Sequence, residues 1–112
     1  MPEWLVEFAF PSSWRDLRGH AADEHALALA LTTELQRELS AGHVLHERTC
    51  QVVGLASRAD DVVVLVDDDL VAIVHLTHAQ ADRPPWPATE IFESASSLLD
   101  GMEDRHPSED DE

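Results

Sequence analysis

The sequence predicts a small α+β domain, an antiparallel meander of three to four strands with two main helices in the order α-β-β-β-α. Three observations carry this. Leu27, Leu31, Leu35 and Leu39 recur every fourth residue, which puts one apolar stripe on a helix. Residues 49–56, 62–66 and 70–77 are β-branched and apolar, and only short acidic stretches separate them, as in hairpin-linked strands. Finally, Ile91, Phe92, Ala95, Leu98 and Leu99 return to helical spacing.

Taken in order, residues 3–10 are aromatic and apolar up to Pro11, and fit a first strand or an extended segment laid over the core. Residues 12–17 read as a serine-capped helical turn broken by Gly19. The main helix is expected over 23–40. Asp23 is its N-cap or first-turn acid, Gly42 its C-terminal glycine, and Glu34, Arg37 and Glu38 its solvated face. The run Val62–Val66 is apolar on both faces and so belongs in the middle of the sheet, covered on both sides. The main helix covers one face, and the aromatic N-terminus or the final helix covers the other. Asp60-Asp61 and Asp67-Asp68-Asp69 are turns, where aspartate is favoured for its local backbone hydrogen bonds. Residues 79–88 form a proline-fixed loop; Thr89 caps the final helix and Gly101 ends it. Residues 1–102 are then a single domain. Residues 103–112, six carboxylates against one arginine with almost nothing apolar, are a disordered acidic tail.

Composition limits the function. With 112 residues and 44% hydrophobic content, the chain has material for one core without a metal or disulfide. Its lone cysteine, Cys50, has no internal partner, which suits a reducing compartment, and no acidic-free leader or ~20-residue apolar span is present; a cytoplasmic location is expected. Seven cations, all arginine, stand against 23 carboxylates, for a formal charge of −16. Such a field repels nucleic acid and anionic membranes and attracts basic protein surfaces.

Four landmarks in the chain, Gly42-His43-Val44-Leu45, Asp60-Asp61-Val62, Val74-His75-Leu76-Thr77 and Trp86-Pro87-Ala88-Thr89-Glu90-Ile91-Phe92, carry a resemblance. In that order they are similar to the G-H-x-L, D-D-V-L-F, V-H-L-T-W and W-P-x-T-x-x-F motifs of a family of small, uncharacterised bacterial proteins. The similarity spans about residues 34 to 99. It implies relatedness and brings no activity with it. The chain departs from the pattern at His78, where the family has tryptophan, and at Asp69, near an expected turn glycine.

Among candidate chemistries, His43-x-x-His46 and His75-x-x-His78 are the metal-like spacings, with His43, His75 and Asp61 as a conceivable ligand set. On a strand, however, residues three apart point to opposite faces, so His75 and His78 do not share an ion naturally. The aspartate turns lack the calcium-loop pattern, and Cys50 has only Arg48 as a cationic neighbour, the setting of an inert core thiol. No cofactor is expected. Trp86, framed by Pro84, Pro85 and Pro87, is either an interface anchor or a lid over the sheet. The expectation is a non-enzymatic, immunity-like or regulatory inhibitor that engages a basic protein through Asp60, Asp61, Asp67, Asp68, Asp69 and Trp86. The alternatives are a metal-binding protein or hydrolase built on His43 and His75, and an accessory subunit of a larger assembly.

Overall fold

The computed structural model describes residues 2–19, 21–39, 43, 45–46, 48–57, 61–76 and 89–105. These form α1 (Glu3–Val6), β1 (Trp14–Asp16), α2 (Ala22–Glu38), β2 (Cys50–Ala56), β3 (Asp61–Val66), β4 (Leu70–His75), β5 (Thr89–Phe92) and α3 (Ala95–Arg105). The fold is α+β, and the sheet is a five-stranded antiparallel meander in the order β1-β2-β3-β4-β5. The three strands expected from composition are its centre, and the structure adds a short strand at each edge and a helical turn at the N-terminus.

Alternation along β3 assigns the two cores. Val62, Val64 and Val66 face α2, packing with Leu17, Leu35, Leu45, Val52 and Val74. Val63 and Leu65 face the opposite layer, with Leu5, Phe8, Trp14, Ile73, Phe92, Leu98 and Met102. Every residue of β3 is buried, as a strand covered on both faces requires. The second face is covered by both candidates at once, the aromatic N-terminus and α3.

A bulge in β2 keeps both cores filled. Val52 lies opposite Val64 and Gly54 opposite Val63, so Val53 is the extra residue. Val53 and Ala56 consequently pack in the α1/α3 layer while Leu55 returns to the α2 layer, a parity switch that uninterrupted pleating forbids. Gly54 is needed there, because a Cβ at that position would sit 2.2 Å from Cε2 of Phe10. From α2, the Thr32 hydroxyl accepts the Val52 N–H at 3.0 Å beside the bulge.

Several local expectations are corrected. Residues 14–16 are a strand and not a helical turn. Trp14 enters the core and donates its indole N–H to the Met102 carbonyl at 3.3 Å, a tertiary gain that overrides the local serine cap. Thr89 opens β5 and does not cap a helix. Residues 89 to 92 pair antiparallel with β4, Thr89 opposite Val74 and Phe92, buried, opposite Val71, which makes the segment a strand. Ser94 is the cap of α3, accepting the Ser97 N–H at 3.2 Å. Gly101 lies inside α3, where Phe92 occupies the space a Cβ would need, 2.5 Å from Cζ. The helix runs on through Glu103 and Asp104 to Arg105, held by an Arg105–Glu90 ion pair at 2.9 Å, so the first three residues assigned to the tail are helical. Residues 106–112 lie outside the described residues. In α2, Glu34 and Arg37 pair at the surface, but Glu38 is 0% exposed because it shares the inward face with Leu35. Asp23 falls in the first turn and Ala21 is the N-cap; Gly42 lies outside the described residues.

The β3–β4 turn also differs in detail. Asp67 and Asp68 have φ of 53° and 67°, so these two positions, and not Asp69, take the conformation that favours glycine. Asp67 repays its strain: its carboxylate accepts the Thr49 N–H at 2.9 Å and pairs with Arg48 at 2.8 Å. Asp67→Ala is therefore expected to cost about 1–2 kcal/mol, while Asp69→Ala stays within about 0.5 kcal/mol. Urea unfolding of the two variants checks the contrast.

Candidate functional site

The residues singled out by sequence fall into three places. The first is the β3–β4 turn, where Asp67, Asp68 and Asp69 are exposed at one end of the sheet. Asp67 is paired with Arg48. Beneath them Cys50 is buried. Desolvation raises its thiol pKa above the usual value and the Asp67 charge raises it further, against a smaller lowering by Arg48, so it is held as an unreactive thiol.

The second place is the opposite end of the same hairpin. Asp61 is not a turn carboxylate but the first residue of β3, 7% exposed, directly opposite His75. Its Oδ1 lies 2.7 Å from His75 Nδ1. A carboxylate only accepts, so Nδ1 carries the proton and Nε2 is left as the outer nitrogen of a ring whose side chain is 53% exposed. Strand parity puts this pair on the α1/α3 face, since its neighbours Val63 and Ile73 lie there.

The third place is the segment after α2, which carries His43. The ring is buried, its Nδ1 accepts the Leu45 N–H at 3.0 Å, and Nε2 lies 3.3 Å from the Thr89 hydroxyl. Accepting at Nδ1 assigns the proton to Nε2, which donates to Thr89 Oγ1. Thr89 pairs with Val74 and so lies on the α2 face. His43 and His75 thus lie on opposite faces of the sheet; Nε2 of His43 ties its segment to β5, while Nδ1 serves Leu45 within that segment.

His43 therefore meets Thr89 on one face of the sheet, and Asp61 meets His75 on the other. Among the described residues, no group of three or more His, Cys, Asp or Glu is arranged to hold a metal ion. No described helix is long and apolar enough to cross a membrane. Asp60, His78 and Trp86 lie outside the described residues.

Sequence reasoning missed two features. Arg18 donates through Nε to Asp16 Oδ1 at 2.9 Å and through Nη2 to Asp16 Oδ2 at 2.8 Å. It also donates to the carbonyls of Leu5 and Phe8 and covers the Phe10 ring at 4.8 Å. This fastens the N-terminal segment to β1. The second is an apolar groove of about 830 Å³ between that segment and α3, floored by Trp4, Phe8, Ala95 and Leu99 and edged by Glu3 and Glu7. Amphipathic spacing on α3 hinted at one wall, but the other comes from a one-turn helix with no periodic signal. No family model, no curated protein and no solved structure matches the chain, so its function is argued from these residues alone.

Proposed function

We infer that the protein is a small, acidic, non-enzymatic binding protein, of the immunity-like or regulatory kind, that engages a basic protein surface. The observation that carries this reading is the charge of −16 on a chain of 112 residues without a single lysine, with Asp68 and Asp69 exposed on the β3–β4 turn. Such a surface raises encounter rates with cationic partners and rejects polyanions. The contact set is narrower than Asp60, Asp61, Asp67, Asp68, Asp69 and Trp86, because the buried Asp61 is committed to His75.

A second reading is favoured by one observation, the Asp61–His75 pair. A buried carboxylate that orients an exposed imidazole is the arrangement of a general base, so a His75-centred hydrolase or metal-binding protein is the rival. His43, on the opposite face, takes no part in it.

Native mass spectrometry of the untagged protein from its own host, isolated without chelator, separates the two. The expected result is a stoichiometric basic protein that leaves between about 0.1 and 0.5 M salt, as screening shortens the Debye length to a few ångströms. A single bound metal ion, lost in His75→Ala, would overturn the binding reading in favour of its rival.

A further inference from the structure

We propose that the groove between the N-terminal segment and α3 is a docking site for a cationic amphipathic helix of a partner protein. The proposal rests on the reading above and gives the basic partner a shape and a place. The floor is apolar, with Trp4, Phe8 and Ala95 in it and Leu99 on its α3 wall still 40% exposed. An uncovered apolar patch of this kind is an interaction surface. Its side chains are preorganised: Trp4 stands edge-on to Phe8 at 6.2 Å, Phe8 edge-on to Phe10 at 5.6 Å, and Arg18 clamps the Leu5 and Phe8 carbonyls behind them. A groove that needs little ordering loses little affinity on filling.

Charge selects the occupant. Among the described residues, those that line the groove include two exposed carboxylates, Glu3 and Glu7, and no cation. Arg18, which holds the Leu5 and Phe8 carbonyls, is committed to these and to Asp16. A second copy of the chain would bring −16 against −16, and an anionic lipid surface or polyanion is repelled in the same way. What fits is a helix with an apolar stripe for Trp4, Phe8 and Leu99, flanked by lysines or arginines that meet Glu3 and Glu7.

The test uses synthetic peptides with the full chain. One is a leucine/lysine amphipathic helix of about 18 residues, the other a lysine/serine peptide of the same charge and length. Titration calorimetry is run on the wild type, on Glu3→Gln/Glu7→Gln, on Leu99→Ser and on the control variant Asp23→Asn, an exposed charge on α2 at the other face of the sheet, each checked by thermal unfolding. The expected result is that only the leucine/lysine peptide binds appreciably. Each groove variant should then weaken it about five- to tenfold, while the control variant changes it less than about twofold. Equal binding of both peptides, or a loss in the control variant as large as in the groove variants, would overturn the groove while leaving an acidic binding protein intact. No binding of either peptide would also overturn the groove. The wider reading is judged separately, by the salt-labile partner in native mass spectrometry.

Discussion

Arg18→Ala is expected to destabilise the protein by about 2–4 kcal/mol, the largest effect of any single polar substitution among the described residues, because charge-assisted hydrogen bonds each contribute about 1.5–3 kcal/mol. The guanidinium is only 18% exposed and holds three separate pieces of chain: Asp16 of β1, the Leu5 carbonyl at the end of the helical turn, and the Phe8 carbonyl beyond it. Removing it leaves two partly buried carbonyls without that donor and uncovers the Phe10 ring that Gly54 makes room for. Arg18→Lys should recover only part of the loss, since an ammonium cannot reproduce the fork. Amide exchange should be fastest over residues 4–10 in Arg18→Ala and stay slow in β3, whose pairing on both sides is untouched. Uniform loss of protection would contradict the clamp.

The same clamp has a pH signature. The Arg18 hydrogen bond holds the Asp16 carboxyl below its ordinary pKa of 3.8, against a smaller opposing effect of burial. A depressed folded-state pKa stabilises above the unfolded value, and that contribution is lost as pH falls from about 3.8 through the folded value. Arg18→Ala removes the side-chain part of it and leaves only the main-chain N–H of that position on Asp16 Oδ1. Acid unfolding of the wild type should therefore be steeper below pH 4 than that of the variant.

How far the sequence reveals this architecture depends on how each residue finds its partner. The central strands were legible because β-branched runs bounded by aspartates leave the chain few other options. The edge strands were not. Trp14-Arg15-Asp16 is too short for a period, and Ile91-Phe92 fits both the helical and the strand period, so pairing with β2 and β4 decides them. The Asp61–His75 contact was accessible in principle. Once Asp68 is taken as the hairpin centre, residues seven positions to either side must face each other. The Arg18 clamp was not accessible, because two of its acceptors are main-chain carbonyls that any residue at positions 5 and 8 would supply. Glu38 turns inward despite its charge, because position 38 follows Leu35 by one turn on the same face.

The functional account rests on the field of the whole chain more than on any single contact. Electrostatic steering acts on encounter: it raises association rates from about 10⁵–10⁶ toward 10⁸–10⁹ M⁻¹s⁻¹ at low salt and leaves dissociation to the packed core of the interface. Exposed Asp68 and Asp69 lie on a turn fixed by Asp67, so their charges are presented without an ordering cost. Each neutralised charge should lower the association rate and its salt slope together, and hardly change the dissociation rate.

The most direct measurement is stopped-flow association of the protein with the basic protein that native mass spectrometry is expected to identify, followed as a function of ionic strength. The account predicts that the association rate falls at least about tenfold between roughly 20 and 500 mM salt, with a shallower dependence for Asp68→Asn/Asp69→Asn and a nearly constant dissociation rate. An association rate indifferent to salt, or one unchanged by neutralising the hairpin, would contradict it.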